Sequence, residues 1–193
     1  MARGPEAILE EWLVVEAQRG RTAALQALAV RWHPRLVGHA YRRTGHPDAA
    51  AEVAQEAWIA IIRGLTGLED PAAFRVWAFR IVDRKSFDWI RRRRRGRALA
   101  NRLVADASLH DPDCDPGPEA RPREGDGRDE RIEQLRLALR RLPDDSRIVL
   151  TMLYVDGLSV IEIAGALRLP EGTVKSRLFH ARKQLRDSFE AQS

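Results

Sequence analysis

Seven residues between Thr173 and Arg182 could do chemistry together: Thr173, Lys175, Ser176, Arg177, Phe179, His180 and Arg182. The cations suit phosphates, and the hydroxyls, the ammonium and the imidazole can read base edges. An aromatic among them gains from an apolar contact such as a thymine methyl. From Glu171 to Arg186 there are five cations and one acid, a net +4 with His180 neutral. This is chemistry for holding a polyanion, and nothing in it resembles a bond-breaking site.

The surrounding string, LSVIEIAGALRLPEGTVKSRLFHARKQL from Leu158 to Leu185, says how such residues would be held. Ile163, Ala164 and Leu167 give a short helix an apolar side, and Ser159 with Glu162 three residues later forms a capping box at its start. Leu169-Pro170 stops that helix. A second helix begins near Glu171, with Val174, Leu178, Ala181 and Leu185 on one stripe and the polar set opposite. A short helix, a tight turn and a basic amphipathic helix make a helix-turn-helix. By pattern alone, a helical hairpin with a solvated charged face is the plain alternative.

Composition agrees with a polyanionic partner. Lys and Arg total 33 against 28 Asp and Glu, a net charge of +5, with a pI near 10.1. Only three of the cations are lysines, Lys85, Lys175 and Lys183. A single cysteine, Cys114, cannot form an internal disulfide, and His33, His39 and His46 are not spaced to share a metal on one helical face. No phosphate-binding GxxxxGK[ST], no HxE with CxxC and no Ser/His/Asp spacing is present. We therefore expect no enzyme, cofactor or metal. The start, MARGPEAILEEW, is acidic where a signal peptide would be basic then apolar, and no apolar run reaches the roughly 18 residues of a membrane span. The expected location is the cytoplasm.

Apolar residues recur at helical spacing nearly throughout. Ile8, Trp12 and Val15 mark a first helix; Leu25, Leu28, Ala29 and Trp32 a second; Leu36, Val37, Ala40 and Tyr41 a third, with breaks at Gly20, Pro34 and Gly45 to Pro47. A longer helix from about Asp48 carries Val53, Ala54, Ala57, Trp58, Ile61 and Leu65 on its apolar stripe and ends at Gly64 to Gly67. Asp70-Pro71 starts the next as cap and first helical residue, with Phe74 and Trp77 as core, and it runs into the arginines Arg91 to Arg95. Between Asp106 and Glu130 lie nine acids, three arginines, four prolines and three glycines, the composition of a flexible linker. Such a chain spans roughly 25 to 30 Å, so the domains it joins cannot set their own spacing. Beyond it, Ile132, Leu135, Leu139 and Leu142 form one helix, and Ile148, Val149, Met152 and Leu153 a second, for which Asp144 and Asp145 offer caps. The expected fold is all-α: two small helical domains, 5–98 and 130–190, joined by a flexible acidic linker at 99–129, the C-terminal domain carrying the helix-turn-helix.

Three strings together resemble a known family. LPDDSRIVLTMLYVDGLSVIEIAGALRLPEGTVKSRLFHARKQLR is similar to region 4 of sigma-70-family RNA polymerase sigma factors of the extracytoplasmic-function type, with GTVKSRL its most specific core. HPDAAAEVAQEAWIAIIRGL resembles region 2.2, and DPAAFRVWAFRIVDRKSFDWIRRRRR regions 2.3 and 2.4. The resemblance covers about Ile8 to Arg97 and Glu130 to Phe189.

That resemblance implies a protein that binds core RNA polymerase, directs it to promoter DNA and helps melt the duplex. The family's Asp-x-x-Gln-Glu motif with a following aromatic docks on the clamp helices of the largest polymerase subunit; it reads here as Glu52, Gln55, Glu56 and Trp58. Region 4 would engage the flap region. By residue type alone, Glu52, Gln55 and Glu56, opposite the apolar stripe, read as solvated surface. For the melted downstream element the resemblance points to the loop from Gly67 to Ala73 and to Arg75, Arg80, Arg84 and Lys85. For the upstream element it points to Thr173, Lys175, Ser176, Phe179 and His180, with Arg177 and Arg182 on phosphate. An anti-sigma factor is a possible partner. Two departures stand out: Asp83-Arg84 replaces the frequent Arg-Asn, and His180 replaces a frequent Arg. Asp88 would pair with Arg91 or Arg92. The alternative function is a stand-alone helix-turn-helix regulator.

Overall fold

The computed structural model of the chain describes residues 5–103 and 127–190, all of whose regular elements are helical. The chain divides into two compact units, Met1–Asp115 and Pro116–Ser193. The first contains α1 (Pro5–Gln18), α2 (Thr22–Thr44), α3 (Pro47–Gly64) and α4 (Phe74–Leu103), with two short 3-10 turns, Leu65–Gly67 and Pro71–Ala73, between α3 and α4. The second contains α5 (Gly127–Arg140), α6 (Asp144–Tyr154), α7 (Val160–Leu167) and α8 (Glu171–Glu190). Helix α4 continues to Leu103 and α5 starts at Gly127, so both ends of the segment expected as linker, 99–129, are helical. The rest of that segment, with His110 and Cys114, lies outside the described residues.

In the first unit the core is aromatic. Trp32 of α2 meets Phe74 and Phe79 of α4 edge-on, with ring centroids 5.5 and 5.7 Å apart, a geometry that aligns ring edges with ring faces. Small residues of α3, Ala50, Ala54 and Ala57, let that helix approach closely, and Val53 and Ile61 fill the gaps. Pro34 does not break the chain: α2 passes through it. The proline removes one bond to the carbonyl of Val30. Both Val30 and Pro34 face solvent, where water can satisfy that carbonyl.

The stretch between α3 and α4 is tied to α1 and capped from within. Gln18 Nε2 donates to the carbonyls of Leu65 at 2.9 Å and Leu68 at 2.7 Å, and the Asp70 carboxylate accepts from the Ala72 N–H at 3.0 Å. Gly64 lets α4 come close, because a Cβ there would stand 2.9 Å from a ring carbon of Trp77. Trp77 is half-buried rather than core, while Phe74 is fully buried.

In the second unit Ile148, Val149 and Met152 of α6, Ile163 and Leu167 of α7, and Val174, Leu178 and Ala181 of α8 form one core. The Ser159–Glu162 capping box is present in both directions. Helix α6 begins differently from expectation: Pro143 holds the N-cap position without a side-chain cap, and Asp144 and Asp145 sit in the first turn, where their charge favours the helix dipole. On α5, Leu135 is exposed, and Ala138 takes the buried place.

The turn between α7 and α8 rests on Arg168, which adopts the left-handed conformation (φ 55°, ψ 43°). The Ala164 carbonyl accepts from the N–H groups of Arg168 and Leu169. Glycine is the residue that takes this geometry without a Cβ clash. We predict that Arg168→Gly raises the unfolding free energy by about 0.5–1 kcal/mol, read as a higher urea midpoint at unchanged slope.

Candidate nucleic-acid interface

Helix α8 buries Val174, Leu178 and Ala181 and turns Lys175, Ser176, Phe179, His180 and Arg182 outward, with Thr173 at the edge. Phe179 is 64% exposed and meets the His180 ring edge-on at 5.5 Å. Lys175 Nζ lies 3.5 Å from Glu171, one turn earlier on the same helix. The two cations expected on phosphate are held by partners the sequence reading missed. Arg177 pairs with Asp145 at 2.7 Å, tying α8 to the first turn of α6. Arg182 Nε donates to the Tyr154 hydroxyl at 3.1 Å, and its guanidinium lies 5.6 Å from the centre of that ring. Both partners come from α6, at a distance no helical periodicity reveals.

The first unit gathers its candidates on α3 and α4. Val53, Ala57 and Ile61 point inward, and the opposite stripe of α3 shows Glu52, Gln55, Glu56, Ile59 and Ile62. Ile59 and Ile62 are exposed large apolar residues, and neither had a role in the sequence reading. Trp58 is half-buried, its indole N–H shielded with no acceptor among the described residues. It lines an apolar groove with Leu25, Val30, Pro34 and Ile62.

The four cations expected at the melted strand do not share one environment. Arg75 approaches buried Glu10 of α1: burial pushes that carboxyl upward, and the charges of Arg75, Arg31 and Arg35 oppose the rise. Lys85 donates to Glu56 at 3.1 Å. Arg84 is exposed and Arg80 half-buried, one turn apart on α4. Arg92 donates to Glu56 at 3.0 Å, so its hydrogen-bonded acid is on α3 rather than Asp88. Glu56 is held below the usual carboxylate range, chiefly by the hydrogen bond from Arg92 and also by Lys85. One turn away, Trp89 Nε1 donates to Glu52 at 3.2 Å.

Asp83, the departure from the family pattern, has a structural reason. It is buried, and Arg43 of α2 approaches it at 2.7 Å through both Nε and Nη2. His39 Nε2, fully buried, lies 3.4 Å away. Asp83 therefore faces the core between α2 and α4, and only Arg84 of the pair meets solvent. Among the described residues no group of three or more His, Cys, Asp or Glu could hold a metal ion, and no helix is long and apolar enough to cross a membrane.

Two family models match the chain: Sigma-70 region 2 over residues 28–96 and Sigma-70, region 4 over residues 132–185. The RNA polymerase sigma-H factor of Pseudomonas aeruginosa is 30% identical over 176 residues, covering 91% of each chain. The ECF RNA polymerase sigma-E factor of Escherichia coli K12 is 30% identical over 193 residues, covering 93% of this chain and 94% of that one. The chain belongs to the sigma-70 family of RNA polymerase sigma factors, among its extracytoplasmic-function members. It is accordingly a transcription initiation factor rather than a stand-alone regulator. Solved structures share the helical fold. The sigma factor RpoE from Bartonella quintana, in complex with the anti-sigma factor NepR, aligns with a TM-score of 0.63 at 18% identity, covering 88% of this chain and 98% of that one. CnrH, in complex with the cytosolic domain of CnrY, aligns with a TM-score of 0.61 at 24% identity, covering 96% and 99%.

The buried Asp83 cluster generates two tests. Removing the acid leaves Arg43 and His39 facing an uncompensated site, so Asp83→Ala should cost about 3–5 kcal/mol in chemical denaturation. Burial lowers the pKa of His39 although Asp83 pulls the other way. Unfolded His39 takes a proton near pH 6.5, and the folded chain resists it until lower pH. The unfolded state thus binds more protons in that window, and stability falls as pH drops below about 6.5. The stability loss between about pH 7.5 and 5.5 should be smaller in His39→Gln than in the unaltered chain.

Proposed function

We propose that the two units divide promoter recognition between them. In this reading α8 enters the major groove of the upstream element, with Lys175, Ser176, Phe179 and His180 at base edges, Thr173 beside them and Arg182 on phosphate. The observation that carries it is the outward face of α8, where a largely exposed phenylalanine stands among hydroxyl, ammonium and imidazole groups. Tyr154 fixes the Arg182 guanidinium before DNA arrives, which lowers the ordering cost of a phosphate contact. Arg177 reaches phosphate only by leaving Asp145, so we assign it first to holding α8 in place. His180 has one ring donor when neutral and cannot make the two-pronged guanine contact of an arginine.

In the first unit we propose that α3 docks on the clamp helices of the largest polymerase subunit through Glu52, Gln55, Glu56 and Trp58. The adjoining exposed Ile59 and Ile62 support that reading, since apolar and acidic groups on one helix stripe suit a protein partner better than solvent. The melted downstream element falls to the stretch pinned by Gln18 and to Arg80, Arg84 and Lys85, with Arg75 nearer α1. The second unit also meets the flap region, and the linker leaves spacing to the polymerase. The protein itself is not an enzyme, needs no cofactor, and works in the cytoplasm. An anti-sigma factor is a further proposed partner, because the RpoE relative was solved with one.

Run-off transcription with purified core polymerase tests the whole. The chain should confer promoter-specific initiation; DNA binding without any effect on core polymerase would overturn the reading. Lys175→Ala with Ser176→Ala should reduce initiation about 30-fold or more, as expected for losing about two base or near-base contacts, and leave core binding intact. Gln55→Ala should weaken core binding instead. Identical behaviour of the two variants would refute the division of roles.

A further inference from the structure

Helix α3 and helix α4 meet at the surface through one carboxylate. Glu56 accepts from Lys85 Nζ with one oxygen, at 3.1 Å, and from Arg92 Nη2 with the other, at 3.0 Å. Lys85 and Arg92 stand two turns apart on α4, and Trp89, between them, donates to Glu52. The Arg93 guanidinium lies 5.3 Å from the Trp89 ring centre. These groups sit at the rim: the side chains of Lys85, Glu56 and Arg92 are 31%, 28% and 55% exposed.

Ion pairs this exposed add little to stability, and the helices beneath already pack on each other, with Ala50 and Ala54 of α3 and Phe79 and Val82 of α4 buried. Their effect is on charge available to a ligand. Two cations on the helix assigned to the melted strand share the single negative charge of an acid on the helix assigned to the polymerase. A phosphate approaching Lys85 or Arg92 must compete with Glu56 for the same donors.

We propose that Glu56 is an internal counter-charge that withholds Lys85 and Arg92 from single-stranded DNA in the free chain and releases them when α3 docks on a polymerase surface bearing a cation for Glu56. This rests on the proposed polymerase-facing role of α3. The cation is required because a carboxylate that leaves two charge-assisted bonds must find an equivalent partner. The coupling is reciprocal: strand binding frees Glu56 for the polymerase as docking frees the cations for the strand. The chain alone therefore holds DNA weakly at this surface, and the assembled complex holds it with two additional contacts.

The full chain and a fluorescein-labelled oligo(dT) strand provide the test. Glu56→Gln keeps the shape and removes the charge. In fluorescence anisotropy it should bind the strand about three- to tenfold more tightly at low salt, with a plot of log K against log salt steeper by about 1.4, the increment for two further phosphate contacts on a single strand. Asp48→Asn, an equal charge change at an exposed position of the same helix, should leave both quantities nearly unchanged. With Lys85→Gln and Arg92→Gln in place, Glu56→Gln should have no effect. Core polymerase should raise strand affinity by a smaller factor in Glu56→Gln than in the unaltered chain. Equal or weaker strand binding by Glu56→Gln, a gain that survives loss of both cations, a gain matched by Asp48→Asn, or an undiminished enhancement by core polymerase would overturn the proposal. A melting curve of Glu56→Gln confirms that the compared chains are folded. Core binding by Gln55→Ala, measured in parallel, judges the role of α3 separately from the strand measurements.

Discussion

The contact between Trp32 and the paired rings Phe74 and Phe79 governs what the first unit can offer to any partner. Those phenylalanines lie on α4, and once they are fixed the rotation of that helix about its axis is fixed too. Val82 and Asp83 then turn inward, Lys85 and Arg92 turn toward α3, and Arg84 turns to solvent. A helix crowded with cations would otherwise have no reason to choose one face for the interior. The arginine-rich end depends on this anchoring, since nothing in Arg91 to Arg95 supplies an apolar stripe of its own.

One buried charged cluster acts where rotation matters. Asp83 with Arg43 and His39 forms a polar clamp between α2 and α4. An apolar triplet of similar volume could match its contribution to stability. What the clamp adds is direction: a guanidinium held through two nitrogens has little freedom to slide. The second unit uses the same kind of device nearer the surface, where Arg177 with Asp145 and Arg182 with Tyr154 lock α8 to the two ends of α6. The helix whose outward residues we propose to meet base edges is thereby set in angle as well as in depth.

Much of this was legible in the sequence because it is local. Spacing of apolar residues placed the helices, Ser159 with Glu162 marked a helix start, Asp70-Pro71 another, and the GTVKSRL string pointed to the outward residues of α8. What was not legible is long-range pairing. Asp83 looked like a change in the DNA-facing pattern, and only its contact with Arg43, 40 residues away, explains it. Glu56 and Lys85 were assigned to different partners, and only the packing of α3 on α4 brings them within hydrogen-bond distance. Pro34 reads locally as a break, yet the packing on both sides of it outweighs one lost hydrogen bond on a solvated face. Ile59 and Ile62 belong to no inward stripe, and a sequence gives no reason to notice what a helix leaves outside.

Gly64 has a further consequence. With no side chain there, the edge of Trp77 rests almost on the α3 backbone, and the stretch from Leu65 to Ala73 bridges a gap that cannot widen without losing that contact or narrow without a clash. Gln18 fastens the same stretch from α1, and Asp70 caps its second turn from within. It therefore behaves as a gauge block of set width rather than a pliable lip. In the role proposed for it at the melted element, a different DNA base would be accommodated by changing which side chains line the block, and scarcely by letting it breathe.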